Sequence, residues 1–214
     1  MRLPFTEAQF LDVFGAYNTV HWPVVLGLWV VTFVFTVAIL RGRAHPVALT
    51  TLSAVHWAWS GGVYHAGFFT RINPAAWVFA GLFVAQALAF VWLGMLNRRL
   101  FFDSGWTTRH VLAGFLLLYS LAYPFLVLLS GHEFPRAPAY AVPCPTTLFT
   151  AGVLLATVPP VPRSLFVVPI AWSLVGGSAA LVLGMTPDLM LFAAGACLMA
   201  YAVRPQMFGK SPWR

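Results

Sequence analysis

The sequence predicts an all-α, polytopic membrane protein of seven transmembrane helices with its N-terminus outside and its C-terminus inside. Three observations carry this reading: a composition unsuited to water, apolar stretches of membrane-spanning length along the chain, and basic residues confined largely to alternate loops. Of 214 residues, 60% are hydrophobic and 8% charged, with mean hydropathy +0.83. A soluble domain carries about a quarter charged residues. A net charge of +7 would suggest nucleic acid in a soluble protein, but beside a membrane it sets orientation, so no nucleic-acid partner is expected.

A span needs roughly 20 mostly apolar residues to cross about 30 Å of hydrocarbon. This places helices near 18–40, 46–67, 73–96, 107–130, 144–159, 164–184 and 187–203, so that 18–203 forms one transmembrane domain. Ahead of it, Phe5, Phe10, Leu11 and Phe14 alternate with Glu7, Gln9 and Asp12. Residues 1–17 therefore read as a short amphipathic helix at the interface. The first residues lack a basic region followed by an apolar run, so no cleaved signal peptide is expected. Residues 204–214 form the tail.

Arg41, Arg43, Arg98, Arg99, Arg109, Arg163, Arg204, Lys210 and Arg214 fall on one side, against Arg2, Arg71 and Arg136 on the other. The richer side is cytoplasmic by the positive-inside rule, which gives an N-out, C-in protein of the plasma membrane for an odd number of spans. A shift of 113 positions superimposes the second and third spans on the sixth and seventh. Pro46 meets Pro159, Ala58-Trp59-Ser60 meets Ala171-Trp172-Ser173, and Phe79-Ala80 meets Phe192-Ala193. Chance matching of Ala- and Leu-rich helices competes with a true 3+1+3 parallel repeat, a plan some transporters use with the site between repeats.

Apart from Arg109 and Asp188 in the first turns of their helices, the predicted spans contain no Asp, Glu, Lys or Arg, which counts against strong ion coupling. Lys210, the one lysine, lies in the tail, so a retinal Schiff base within the bundle is excluded. Polarity gathers instead at the outer ends of helices: His21, His65, His132, Glu133, Cys144 and Asp188. His56 lies deeper. In Pro143-Cys144-Pro145-Thr146-Thr147, Pro145 has no N–H, and a regular helix should hardly begin before it. The remaining stretch to Val158 is too short for a full span, so either the chain enters the membrane partly unwound, beside protein or a wet cavity, or the bilayer side there is open to water.

Cys144, His65 and His132, with His21 and Asp188 as accessories, are candidate ligands for a soft or borderline metal such as Zn(II), Cu(I) or Hg(II). Tyr64, Trp22, Thr146, Thr147, Glu133 and His56 are candidate pocket residues. Each has a plainer alternative. Cys144 can be a small packed residue, His65 an interfacial aromatic, His132-Glu133 a solvated loop, and His56 a hydrogen-bonding core residue. Thr186-Pro187-Asp188 reads as N-cap, N1 and an N2 charge favoured by the helix dipole. Trp59 and Trp172, beside Gly61-Gly62 and Gly176-Gly177, fit close helix packing.

Tyr17-Asn18 with Trp22-Pro23, Tyr64-His65 with Ile72-Asn73, Gly131-His132, Pro143-Cys144-Pro145-Thr146-Thr147, and Trp172 with Gly176 carry a resemblance. At these residues the chain resembles a family of uncharacterised bacterial seven-span inner-membrane proteins, classed as a domain of unknown function. The resemblance runs through most of the chain and supports the topology. It brings no activity, cofactor or mechanism.

Three functions compete. The first is an integral binding or transport protein with an outward-facing His/Cys site for a metal ion or small solute. The second is a membrane-embedded metal-dependent hydrolase, with ligands from His21, His65, His132 and Asp188 and Glu133 as base. It needs three ligands and an open water position, and no HExxH motif is present. The third is a non-catalytic subunit of a membrane complex or homo-oligomer. The first is the expectation carried forward.

Overall fold

Why each helix starts and stops where it does follows from a small set of caps and prolines, and these also decide where polar groups end up. The structure is a computed structural model that describes residues 4–103 and 105–209. Arg2, Lys210 and Arg214, which entered the charge count, lie outside the described residues. Helix α1, Glu7–Leu40, begins at a capping box. The Thr6 side chain accepts from Gln9 N at 3.2 Å, and Gln9 Oε1 accepts from Thr6 N at 2.9 Å. It then runs unbroken through Pro23 for 34 residues, about 51 Å at 1.5 Å per residue. The expected boundary between an interfacial helix over 1–17 and a first span from 18 is therefore absent. The aromatic N-terminal turns simply continue the span and pack Phe10 and Phe14 inward against Phe69 and Tyr64.

Helix α2, Pro46–Trp59, has Pro46 at its start, where the missing N–H costs nothing, and His45 Nδ1 accepting from Ala48 N at 3.3 Å. It passes directly into a π-helical segment, Ser60–Ala66. Such local widening of a helix is frequent at functional sites, and this one holds Tyr64 and His65. Helix α3, Ala76–Phe90, likewise widens over Val91–Leu96. Helix α4, Thr108–Leu129, starts at a second capping box formed by Thr107 and His110.

Helix α5, Pro143–Ala156, lies at the centre. It packs on α2, α4, α6 and α7, and from Pro145 to Ala156 every residue is buried. It spans about 21 Å at 1.5 Å per residue, short of a bilayer core. The helix begins at Pro143 rather than after Pro145, because the first four N–H groups of a helix have no internal partner and a proline there loses nothing. Ahead of α5, Ala137, Pro138, Tyr140, Ala141 and Val142 are buried but not helical. Their carbonyls need partners once buried. Asn18 Nδ2 donates to Pro135 O at 2.6 Å and Ala137 O at 2.8 Å, and Ser60 Oγ donates to Ala141 O at 2.9 Å. At the other end of α5, Arg109 Nη1 donates to Ala156 O at 3.1 Å, and the Tyr201 hydroxyl donates to Thr157 O at 2.6 Å.

Helix α6, Ser164–Leu183, ends at Gly184 in the left-handed region, φ 68°, a conformation glycine adopts freely. A 3₁₀ turn, Thr186–Leu189, then leads into α7, Met190–Val203. The expected Thr186 N-cap is thus corrected. Met185 precedes the turn, and Asp188 lies within it with its side chain buried. The close-packing reading of the glycine pairs is met at Gly61, Gly176 and Gly177 but not at Gly62, where an added Cβ would meet nothing within 4 Å. A Cβ on Gly176 would come within 2.8 Å of Leu191, and one on Gly177 within 2.9 Å of Phe192, so α6 and α7 touch closely there.

The architecture is all-helical among the described residues apart from one isolated antiparallel bridge between Phe102 and Thr157. Glu7–Leu40, Ala76–Leu96, Thr108–Leu129, Ser164–Leu183 and Thr186–Val203 are long and apolar enough to cross a membrane. Large apolar side chains cover their outer faces, among them Val20, Val24, Val30, Phe33, Val78, Leu88, Leu118, Val167 and Leu181. Such continuous apolar surface is an interaction surface rather than a water-facing one.

Candidate ligand cavity at one end of the bundle

The end of α4, the starts of α5 and the Thr186–Leu189 turn, the second half of α6 and the π-helical segment after α2 meet at the same end of the bundle. They line a half-open cavity of about 510 Å³. Its wall is mostly apolar and aromatic, with Phe5, Phe10 and Phe14 of the N-terminal turns along one side and Val175, Ala179 and Val182 of α6 along another. This volume lies within the range typical of small-molecule sites, which combine apolar walls with a few placed polar groups.

Those polar groups are Tyr64, His65, Asn73, Tyr123, Cys144, Trp172, Ser178 and Asp188. His65 is wholly buried, and neither ring nitrogen has a hydrogen-bond partner among the described residues. Its ring lies 4.8 Å from Phe83, 5.1 Å from Trp172 and 5.6 Å from Phe79, centroid to centroid. Trp172 Nε1 and Asp188 Oδ1 are buried and similarly without partners. The Asp188 carboxyl faces the Tyr123 hydroxyl and the Cys144 thiol, and the Cys144 thiol in turn lies beside the Trp172 indole. Buried polar atoms are nearly always hydrogen-bonded, and each exception calls for an explanation. Of the eight such atoms among the described residues, four share this cavity, two on His65 and one each on Trp172 and Asp188, whereas Asn18 Oδ1, Thr36 Oγ1, His56 Nδ1 and Tyr140 Oη lie outside it.

Of the residues singled out in the sequence, the structure brings His65, Cys144, Asp188 and Tyr64 together. The others lie elsewhere, packed or hydrogen-bonded among their own neighbours except for Trp22 and Glu133, which are exposed. His21 packs on the rings of Tyr17, Trp59 and Phe68 at 5.4–5.6 Å. His132 Nδ1 lies 3.2 Å from Ser130 Oγ, and Glu133 is exposed. Trp22 points out from α1. Thr147 Oγ1 donates back to Pro143 O, Thr146 pairs with Ser60, and His56 Nε2 lies 2.9 Å from Thr32 Oγ1. No three His, Cys, Asp or Glu side chains among the described residues are placed to share a metal ion. The five-residue metal set therefore does not assemble, and the ligand triad a metallohydrolase requires is not formed by His21, His65, His132 and Asp188.

Sequence reasoning missed Trp172, which it gave to helix packing, and Tyr123, which carried no motif. It also missed a polar cluster at the opposite end. Arg109, 2% exposed, forms a bidentate ion pair with Asp103, and His110 Nε2 lies 3.1 Å from the same carboxylate. Partial burial by itself would raise the Asp103 carboxyl. The hydrogen bond and charge of Arg109, with those of His110, outweigh it and hold the group below the usual carboxylate range. The spacing Asp103…Arg109-His110 across a loop and a helix start was the available signal.

Together, the fold and cavity define a class: an all-helical bundle, with helices of membrane-spanning length, that holds an aromatic, largely apolar cavity with unpartnered polar groups. The chain belongs to the family of unknown function DUF6064, whose model matches residues 7–210. No curated protein and no solved structure gives a significant match.

Proposed function

We propose that this is a seven-span plasma-membrane protein, N-terminus outside and C-terminus in the cytoplasm, that binds or carries a small amphipathic solute in the cavity at its outer end. The observation that carries the reading is the convergence of His65, Trp172 and Asp188, each with a buried polar atom lacking a hydrogen-bond partner among the described residues, on one otherwise apolar cavity. A group left unpaired in this way costs roughly 1–3 kcal/mol, and a bound molecule with complementary atoms offsets that cost. The topology is supported by the distribution of basic residues. Arg41, Arg43, Arg98, Arg99, Arg109, Arg163 and Arg204 flank the end opposite the cavity. The α2 helix with its π-helical extension, 46–66, and the short central α5 complete the count of seven with the five long helices. The apolar wall favours a small organic solute over a bare ion, and the unassembled metal set removes the main support for a metal cargo.

Native mass spectrometry of the full chain released from membranes tests the binding reading. The wild type should carry a non-lipid adduct, and Ser178→Trp, which fills the cavity from its exposed α6 wall, should carry none. A bare chain in both samples, or the same adduct in both, would sink the proposal.

A further inference from the structure

The unpaired acid identifies the chemistry of the occupant. Among the described residues there are three aspartates, and two have arginine partners: Asp12 with Arg136 at 3.0 Å, and Asp103 with Arg109. Asp188 is the most deeply buried of them, 5% exposed, yet no cation pairs with it. No lysine or arginine lines its cavity among the described residues. A buried carboxylate is costly unless it is paired; the side chains it faces, Tyr123 and Cys144, are uncharged donors, and the space open to a counter-charge is the cavity they line.

The surroundings favour a particular kind of partner. Phe5, Phe10, Phe14, Tyr64, Phe69, Phe79, Tyr123 and Trp172 all contribute to the wall. Aromatic faces attract ammonium groups through the ring quadrupole, and boxes of such rings around a carboxylate select organic cations over both anions and neutral solutes. An anionic ligand would meet Asp188 without a compensating charge. A small hydrated metal ion would find an apolar wall in place of a set of ligands.

We infer that the cavity takes an organic cation, an amine or quaternary ammonium with apolar substituents, whose positive charge faces Asp188 while its apolar part lies among the rings. The inference rests on the binding-site reading given above. It requires the Asp188 carboxylate to be the element that distinguishes a charged ligand from an uncharged ligand of the same shape.

The test compares benzyltrimethylammonium with neopentylbenzene, in which carbon replaces the charged nitrogen. Binding to the full-length protein in nanodiscs is read by saturation-transfer NMR, with empty nanodiscs subtracted. The wild type should bind the cation at least tenfold more tightly than the neutral isostere. Asp188→Asn should remove that preference by weakening the cation alone, and Asp188→Glu should retain part of it. Unfolding temperatures of the variants confirm that they are folded. If wild type binds both probes equally, or if Asp188→Asn leaves the cation's affinity unchanged, the cation assignment is wrong while the cavity remains a binding site. If neither probe binds and the chain carries no adduct in the Ser178→Trp comparison, the binding-site reading itself has failed.

Discussion

The two ends of the bundle use similar residues to opposite effect. At the end holding Arg109, an arginine, an aspartate, a histidine and a tyrosine are buried or half-buried, and they bond to one another or to the last carbonyls of α5. At the cavity end, a histidine, a tryptophan, an aspartate and a cysteine come close together, and several of their polar atoms remain without partners. The same low-dielectric surroundings act on both. A satisfied network rigidifies the fold, whereas an unsatisfied one is retained at a cost in stability. The contrast separates structural polarity from polarity available to a ligand, and burial alone would not have done so.

Removing charge at each end should break this symmetry most visibly. Arg109→Met leaves Asp103 without its cation and the Ala156 carbonyl at the end of α5 without its side-chain donor, and should cost about 3 kcal/mol of stability. Asp188→Asn removes an unpaired buried charge and should leave stability unchanged or raised. Thermal and denaturant unfolding of the detergent-solubilised variants measures both. Equal losses at the two ends would show that Asp188 is a structural group after all. A smaller effect is expected at the unwound entry to α5. Asn18→Leu keeps the branched outline of the side chain but removes both donors to the Pro135 and Ala137 carbonyls, and should cost roughly 1–3 kcal/mol. Stability within error of wild type would mean that the re-entrant coil finds other partners.

Much of the architecture was legible because hydrophobic runs and prolines report directly on helices. Pro46 marks the start of α2, and the shortness of the stretch after Pro143 exposes α5 as a helix shorter than a bilayer core. The boundary proposed at residue 17 was not legible. An amphipathic turn and a lipid-facing span differ only in what packs against them, and here Tyr64 and Phe69 hold Phe10 and Phe14 in line with the rest of α1. The site was half legible. His65, Cys144 and Asp188 are conspicuous residues at one end of their helices, but His21 and His132 lie at that end too, and sequence depth carries no information on which way a side chain turns. Trp172 illustrates the reverse failure. In the proposed repeat its counterpart is Trp59, whose Nε1 donates to the Tyr17 hydroxyl at 2.7 Å, while Trp172 Nε1 has no partner among the described residues. Equivalent letters therefore serve different ends, and only the packing distinguishes them.

The smallest expected effect sharpens the comparison through pH, at the satisfied end. Asp103 is held below its ordinary range by Arg109 and His110 against an opposing contribution from burial. A carboxyl of depressed pKa in the folded protein stays ionised when the same group in the unfolded chain has begun to bind a proton. Its contribution to stability is therefore complete above the unfolded value of about 3.9 and is lost as pH falls through the lower folded value. Acid unfolding of wild type should consequently steepen below about pH 4, and Asp103→Asn, less stable at neutral pH, should show a flatter approach to the same acid-unfolded state. Because the carboxylate is partly exposed, solvent and salt screen the pair, and raising the ionic strength should narrow the gap between the two curves. Parallel curves at low salt would mean that Arg109 owes its place to the α5 carbonyls and not to Asp103. The ordered end would then be held by hydrogen bonds to backbone rather than by charge.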